Sequence, residues 1–231
     1  LCLGLLSDES LGACCALTYG DRAEYTNVEY NRAGLRGWER LFVERYLRPG
    51  MKVLVTCAGG GREVVALHRQ GFEVVAFECQ PRLVAWGCAF LRSEGVPVEI
   101  RPALPARLPD GLPACDAVIV GWAGYSHIRP AATRIEFLRS ARTLLSSGGP
   151  ILVSFLERGA WSGHKAEKLA NGVRRLLGRE LLEPGDVFGP PPMHLFTREE
   201  IEQEVTAAGF RIDHCVQSQD SYPHVVAIAV D

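Results

Sequence analysis

The chain has 231 residues, 47% of them hydrophobic, and a formal net charge of -2. That length suits one α/β domain with an embellishment, the apolar share can fill a full core, and the near-neutral charge gives no global field to draw in nucleic acid or an anionic membrane. No apolar run approaches the length of a membrane span, and Leu1 to Leu6 has neither the basic lead nor the apolar length of a signal peptide. Eight cysteines, at positions 2, 14, 15, 57, 79, 88, 115 and 215, include no C-x-x-C pair. Several fall within apolar segments and read as buried thiols of a reducing, cytoplasmic compartment.

Residues 1–20 are weakly patterned, whereas Asp21 to Leu47 places Trp38, Leu41, Phe42, Arg45 and Tyr46 at helical spacing, which predicts a helical N-terminal lid over residues 1–48. Pro49-Gly50 ends it. From there to residue 231 strands and helices alternate. Met51 to Cys57 reads as a buried strand, Ala58-Gly59-Gly60-Gly61 as a turn, Arg62 to Gln70 as a helix, and Glu73 to Glu78 as a second strand ending on an acid. Pro81 opens a helix to Ser93, Gly95 breaks it, and Val98 to Arg101 is a short strand before a loop with Pro102, Pro105, Pro109 and Pro113. Ala117-Val118-Ile119-Val120 is apolar throughout, as in a central parallel strand buried on both faces.

A helix over Ala131 to Leu145 and a fifth strand, Ile151 to Leu156, follow. An insertion at 158–196 then holds a helix over Gly163 to Leu177 and an irregular stretch, Glu183 to Leu195, with Pro190-Pro191-Pro192. Thr197 and Glu200 form a capping box for a helix closed by Gly209. Arg211 to Gln217 and Val225 to Val230 are the last strands, joined by Ser218 to Pro223, short enough for an antiparallel hairpin and too short for a parallel crossover. The expectation is a Rossmann-like α/β sandwich with a seven-stranded sheet, mostly parallel, whose last strand alone is antiparallel.

A strand, a glycine turn, a helix and a second strand ending on an acid place a nucleoside-shaped ligand at the strand ends, with the Glu78 carboxylate able to take both ribose hydroxyls. A dinucleotide fingerprint, G-x-G-x-x-G/A, requires a small residue where this chain has Val64. The run instead resembles motif I of the class I S-adenosylmethionine-dependent methyltransferases, V-L-D-x-G-x-G-x-G before a helix, matched by Val53, Leu54, Gly59 and Gly61. Glu78 matches that family's ribose-binding acid, and the resemblance extends over the rest of the chain. Val55 stands where the family has an acid and Cys57 where it has its first glycine, with Glu63 a candidate substitute for the acid.

The resemblance implies S-adenosylmethionine as cofactor, with Gly59, Gly60 and Gly61 at its amino-acid portion, Glu78 on the ribose, and Ala103 and Leu104 beside the adenine. Cys57, Ala58 and Cys79, which flank those positions, are further cofactor-binding candidates, and Trp122 lies along the cofactor unless it is a core residue. Tyr30 and Arg36 are candidates to close over the methionine end, where a helix with solvated charges is the competing account. His127 is a candidate general base, or alternatively a helix cap or pocket wall, and Tyr125 either orients the acceptor or lines the wall. Met193 and His194 are candidate substrate contacts in the insertion.

The segment after the fourth strand lacks the N-P-P-[YF/W] motif of amino-methylating nucleic-acid enzymes, no G-x-S-x-G elbow occurs, and acids and histidines show no metal-ligand spacing. The expected activity is O- or N-methylation of a small organic acceptor, with neither nucleic acid nor membrane as partner. A nicotinamide-dependent oxidoreductase and a non-catalytic binding module for the same cofactor are the alternatives.

Overall fold

The computed structural model describes residues 2–159, 164–188 and 191–231. Four helices precede the sheet: α1 (Cys2–Leu5), α2 (Asp8–Asp21), α3 (Val28–Arg32) and α4 (Gly37–Tyr46), with a 3₁₀ turn at Ala23–Thr26. The starts of α2, α3 and α4 each satisfy a backbone N–H from a side chain. Ser7 Oγ accepts from Ser10 N at 3.1 Å, Asn27 Oδ1 from Tyr30 N at 2.9 Å, and Glu39 Oε2 from Arg36 N at 2.7 Å.

β1 (Lys52–Thr56), β2 (Glu73–Glu78), β3 (Ile100–Pro102), β4 (Ala117–Val120) and β5 (Pro150–Ser154) alternate with α5 (Arg62–Arg69), α6 (Pro81–Ser93) and α7 (Ala131–Leu144). After β5 come α8 (His164–Leu176), a hairpin of β6 (Asp186–Phe188) and β7 (Pro192–His194), then α9 (Arg198–Ala207), β8 (Phe210–Val216) and β9 (His224–Ala229). The expected helix start at Gly163 and the first proline of the triple run, Pro190, lie outside the described residues.

The main sheet has seven strands in the order β3-β2-β1-β4-β5-β9-β8. β1 pairs in parallel with β2 and β4, β2 with β3 and β4 with β5, whereas β9 opposes both β5 and β8. The last strand is therefore the single antiparallel one, as the short connection before it requires. The capping box of α9 forms as expected, Thr197 Oγ1 accepting from Glu200 N at 3.2 Å and Glu200 Oε2 from Thr197 N at 2.8 Å.

Strand alternation divides the core into two layers. Val53, Val55 and Ile119 pack with Phe42 of α4, Val64 of α5 and Leu91 of α6, while Leu54, Val118 and Val120 pack with Leu138 of α7 and Val205 of α9. All four residues of β4 are completely buried, which is what helices on both faces demand of a central parallel strand. The chain departs from β1 in one direction toward β2 and β3 and returns to β4 on the other side, so a crevice opens at the carboxyl ends of β1 and β4.

Two features depart from the sequence reading. The weakly patterned N-terminal stretch forms most of α2, whose apolar side chains are spread around the helix and leave no periodic stripe. The stretch expected to be irregular, Glu183 to Leu195, contains the β6-β7 hairpin, paired Asp186 to His194, Val187 to Met193 and Phe188 to Pro192.

Candidate functional site

A cavity of about 230 Å³ occupies the crevice. Its floor is the end of β1, Thr56 and Cys57, with Gly59 beyond it; Phe77, Glu78 and Cys79 at the end of β2 form one side. Ala103, Leu104 and Leu108 after β3 form an apolar wall, and Trp122, Gly124, His127 and Ile128 after β4 form the other side. Gly12, Cys15 and Tyr19 of α2, with Tyr25, complete the enclosure.

Glu78 is almost wholly buried, and its two carboxylate oxygens are held separately: Oε2 accepts from Gly59 N and Oε1 from Gln80 N, each at 2.9 Å. Each oxygen keeps a further lone pair. The glycine turn is shaped by two different demands. Gly59 and Gly61 have φ of +53° and +99°, where an L side chain is strained, and Gly61 caps the start of α5. Gly60 is constrained by space, since a β-carbon there would lie 2.1 Å from the Tyr25 carbonyl oxygen. Cys57 also has positive φ, +54°, so the position itself requires the left-handed conformation that glycine adopts most easily. Its Sγ lies against Gly124, where an added β-carbon would approach it to 2.3 Å.

The turn after β4 holds two consecutive non-glycine residues at positive φ, Trp122 at +30° and Ala123 at +56°. Strain of this kind persists where surrounding bonds over-determine it. Here Ser154 Oγ accepts from Ala123 N at 2.8 Å and donates to Val120 O at 3.2 Å, tying the turn to β5. Trp122 is thereby presented to the Arg36 guanidinium, which sits 5.3 Å from the Trp122 ring centre and 5.3 Å from that of Tyr30.

Beneath this cluster Arg62 makes two parallel bonds to Glu39, at 2.7 and 2.6 Å, donates to Gly34 O at 2.7 Å, and contacts Glu63. The bidentate pair fastens α4 to the start of α5. Burial, opposed by Arg62 and reinforced by Glu39, holds the Glu63 carboxyl above its ordinary range. Glu63 is thus committed to the Arg62 network and is absent from the cavity wall.

His127 ends the 3₁₀ turn Gly124–His127. Its Nδ1 lies 3.2 Å from Pro192 O and its Nε2 2.5 Å from Tyr19 Oη. A carbonyl can only accept, so Nδ1 carries the hydrogen and Nε2 offers its lone pair to the Tyr19 hydroxyl. Burial pushes the His127 pKa down, only partly offset by the Pro192 bond, so the neutral ring is favoured.

Of the residues singled out from sequence, Cys57, Gly59, Glu78, Cys79, Ala103, Leu104, Trp122 and His127 meet around one cavity. Ala58, Gly60 and Gly61 lie in the packed turn behind it, and Arg36 lies over both the Tyr30 and Trp122 rings, neither Arg36 nor Tyr30 being on the cavity wall. Tyr125 points the other way. It is completely buried, stacks on Phe196 at 5.4 Å and donates to Glu204 Oε2 at 2.7 Å, so it anchors α9 and does not line the cavity.

His194 is 2% exposed and bonded through Nδ1 to Asp186 Oδ1 at 2.9 Å; neither it nor Met193 lines the cavity. Glu183, Asp186 and His194 bring ligand-type atoms within 4.8 Å of one another. Their carboxylates are already engaged, Asp186 by Arg129 Nε at 3.0 Å and Glu183 by Arg134 Nη2 at 2.9 Å, so two guanidinium groups supply the positive charge there. Sequence reasoning missed Gly12, Cys15 and Tyr19 because nothing in the pattern of α2 says which of its faces is buried.

No family model matches the chain, and no protein of curated function matches it in sequence. Solved structures do match. A S-adenosylmethionine-dependent methyltransferase from Methanosarcina mazei superposes with a TM-score of 0.64 at 15% identity, covering 85% of this chain and 99% of its own. The CcbJ methyltransferase from Streptomyces caelestis gives 0.65 at 18% identity, covering 93% and 98%. The sugar N-methyltransferase KedS8 from a Streptoalloteichus species gives 0.60 at 16% identity, covering 91% and 89%. Strand order, the single reversed strand and these superpositions together give the chain the fold of the S-adenosylmethionine-dependent methyltransferases.

Proposed function

We propose that the chain binds S-adenosylmethionine in the crevice and transfers its methyl group to the oxygen or nitrogen of a small organic acceptor. The observation that carries this reading is Glu78, which faces the cavity from the end of β2 with both oxygens steered by backbone N–H groups and a lone pair left on each. That pair of acceptors suits two vicinal hydroxyls, and the apolar wall of Ala103, Leu104 and Leu108 suits a flat base. The residues present therefore fit the cofactor at its nucleoside end. At the amino-acid end Val55 replaces the expected acid and is completely buried, leaving Arg36, between Tyr30 and Trp122, as the candidate partner for a carboxylate.

When bound, the cofactor supplies an activated methyl group whose carbon–sulfur bond breaks with the electron pair kept by sulfur. What remains for the protein is to place the acceptor, exclude water and receive a proton where the acceptor carries one. His127 is suited to the last task, with a lone pair on Nε2 and a ring orientation fixed by Pro192. The helices before β1 act as a lid, a reading supported by Gly12, Cys15 and Tyr19 in the cavity wall, and the insertion reaches the site through the Pro192 carbonyl. Among the described residues no helix is long and apolar enough to cross a membrane.

Calorimetry with S-adenosylmethionine and its demethylated product tests the assignment. Binding should occur below millimolar concentration and weaken at least tenfold in Glu78→Ala, because two hydrogen bonds to a carboxylate are removed. Absence of binding at millimolar concentration, or preferential binding of NADH, overturns it.

A further inference from the structure

We infer that the Tyr19 phenol occupies the place of the acceptor, and that the acceptor is a phenol-like aryl hydroxyl admitted when α2 withdraws. This rests on the methyl-transfer reading and adds the substrate class to it. The Tyr19 hydroxyl donates to the one nitrogen of His127 that carries a lone pair, at 2.5 Å, from within the cavity that also holds Gly59 and Glu78. The two rings meet edge to face, centroids 5.1 Å apart, and the Tyr25 ring lies 5.8 Å from that of Tyr19. The slot is thus already shaped for a hydroxylated aromatic ring.

The Arg22 guanidinium lies over the aromatic face of Tyr19, 5.6 Å from the ring centre. Burial opposes ionisation of the Tyr19 hydroxyl, Arg22 offsets this only in part, and Arg22 also disfavours a proton on His127, so the hydroxyl stays neutral until transfer and its 2.5 Å bond to Nε2 is what directs the proton. In the transfer the phenol oxygen gains the methyl carbon, its proton passes to Nε2, and the electron pair of the broken carbon–sulfur bond remains on sulfur.

The occupant is also loosely held. Among the described side chains of α2, Leu11 is the buried apolar anchor at 4% exposure, while Leu17 is 70% exposed, and Gly12 within the helix lowers its intrinsic stability relative to alanine. A ligand that matches Tyr19 competes with an intramolecular group, so its apparent affinity is reduced by the fraction of molecules in which the slot is open.

The test uses p-cresol, the side chain of tyrosine as a free molecule, with calorimetry on the full chain saturated with the demethylated cofactor. Tyr19→Ala should bind p-cresol at least tenfold more tightly than the unaltered protein and should not bind toluene comparably. Tyr19→Phe, which removes only the hydroxyl, should tighten p-cresol binding several-fold and shift the His127 ring resonances in an NMR spectrum. Unchanged p-cresol affinity in both variants overturns the inference, as does a Tyr19→Phe variant whose methyl transfer falls as far as that of His127→Ala, which would make Tyr19 part of the catalytic machinery. If the demethylated cofactor itself fails to bind, the methyl-transfer reading has failed; if it binds and p-cresol does not discriminate, this inference alone has failed.

Discussion

Replacing Gly60 by alanine separates packing from ligand binding in the glycine turn. The new β-carbon would lie 2.1 Å from the Tyr25 carbonyl oxygen and 2.8 and 2.9 Å from the two amide atoms of Asn31. An acceptable carbon–oxygen contact is about 3.3 Å, so the 3₁₀ turn before α3 must retreat by roughly 1 Å. It is not free to do so, because Tyr25 O accepts from Asn31 Nδ2 at 3.1 Å and the same nitrogen donates to Asn27 O at 2.8 Å. Overpacking of this kind costs about 1–3 kcal/mol, and loss of one buried hydrogen bond adds about 1 kcal/mol. For a chain of this size a total of about 2–4 kcal/mol lowers Tm by roughly 5–15 °C. Gly59→Ala is the contrast: its β-carbon would meet nothing nearer than Tyr25 Cδ1 at 4.0 Å, leaving only the positive-φ strain of about 1–2 kcal/mol, while the residue borders the cavity. Urea unfolding and calorimetry with the demethylated cofactor should therefore show Gly60→Ala as mainly a stability change and Gly59→Ala as the larger loss of affinity. A Gly60→Ala variant as stable as the unaltered protein would refute the packing argument.

Tyr125→Phe strands the hydrogen bond to buried Glu204 and should cost about 1–3 kcal/mol in urea unfolding with turnover per folded molecule unchanged; a selective fall in turnover would return Tyr125 to the acceptor site. Arg62→Met leaves Glu39 and Glu63 buried without their counter-charge and should destabilise by about 3–5 kcal/mol, with partial recovery in Arg62→Met combined with Glu39→Gln. Equal destabilisation in the single and double variants would show that the ion pairs are not the cause. Because burial lowers the pKa of His127, its contribution to stability is complete above the unfolded value near 6.5 and is lost as pH falls toward the depressed folded value, the unfolded chain taking the proton first. His127→Phe should therefore flatten the fall in stability below pH 6.5 by up to about 1.4 kcal/mol per pH unit, leaving the contribution of His224, which burial also depresses. An unaltered slope would mean that His127 titrates as freely in the fold as in the unfolded chain.

The fold was legible because its evidence is local. The uninterrupted apolar run of β4, the positive-φ glycines that end helices and the seven-residue connection before β9 each constrain the backbone within a few residues of themselves. The elements that sequence left blank lack such signals. α2 carries no apolar stripe, and β6 and β7 are three residues each, too short for alternation to register, with pairing that depends on Asp186 meeting His194 across the hairpin.

The site divides along the same line. Glu78 and Gly59 follow from the end of one strand and the start of one turn, so their meeting is a consequence of parallel pairing between β1 and β2. After β4 the position of the segment is equally predictable, but the facing of each side chain is not. The backbone becomes a 3₁₀ turn, in which successive side chains point about 120° apart, so Tyr125 enters the core, Ser126 accepts from Leu156 N at 2.8 Å, and the His127 side chain returns to the cavity. That phase is set by the strained pair Trp122 and Ala123 and by Ser154 on the neighbouring strand, which no window around His127 contains. The partner of His127 is further still, 108 residues away on α2, and it reaches the imidazole only because the helix is laid across a crevice built by the sheet. A histidine's chemical role depends on what meets its second nitrogen, and here that partner is supplied by topology rather than by any motif.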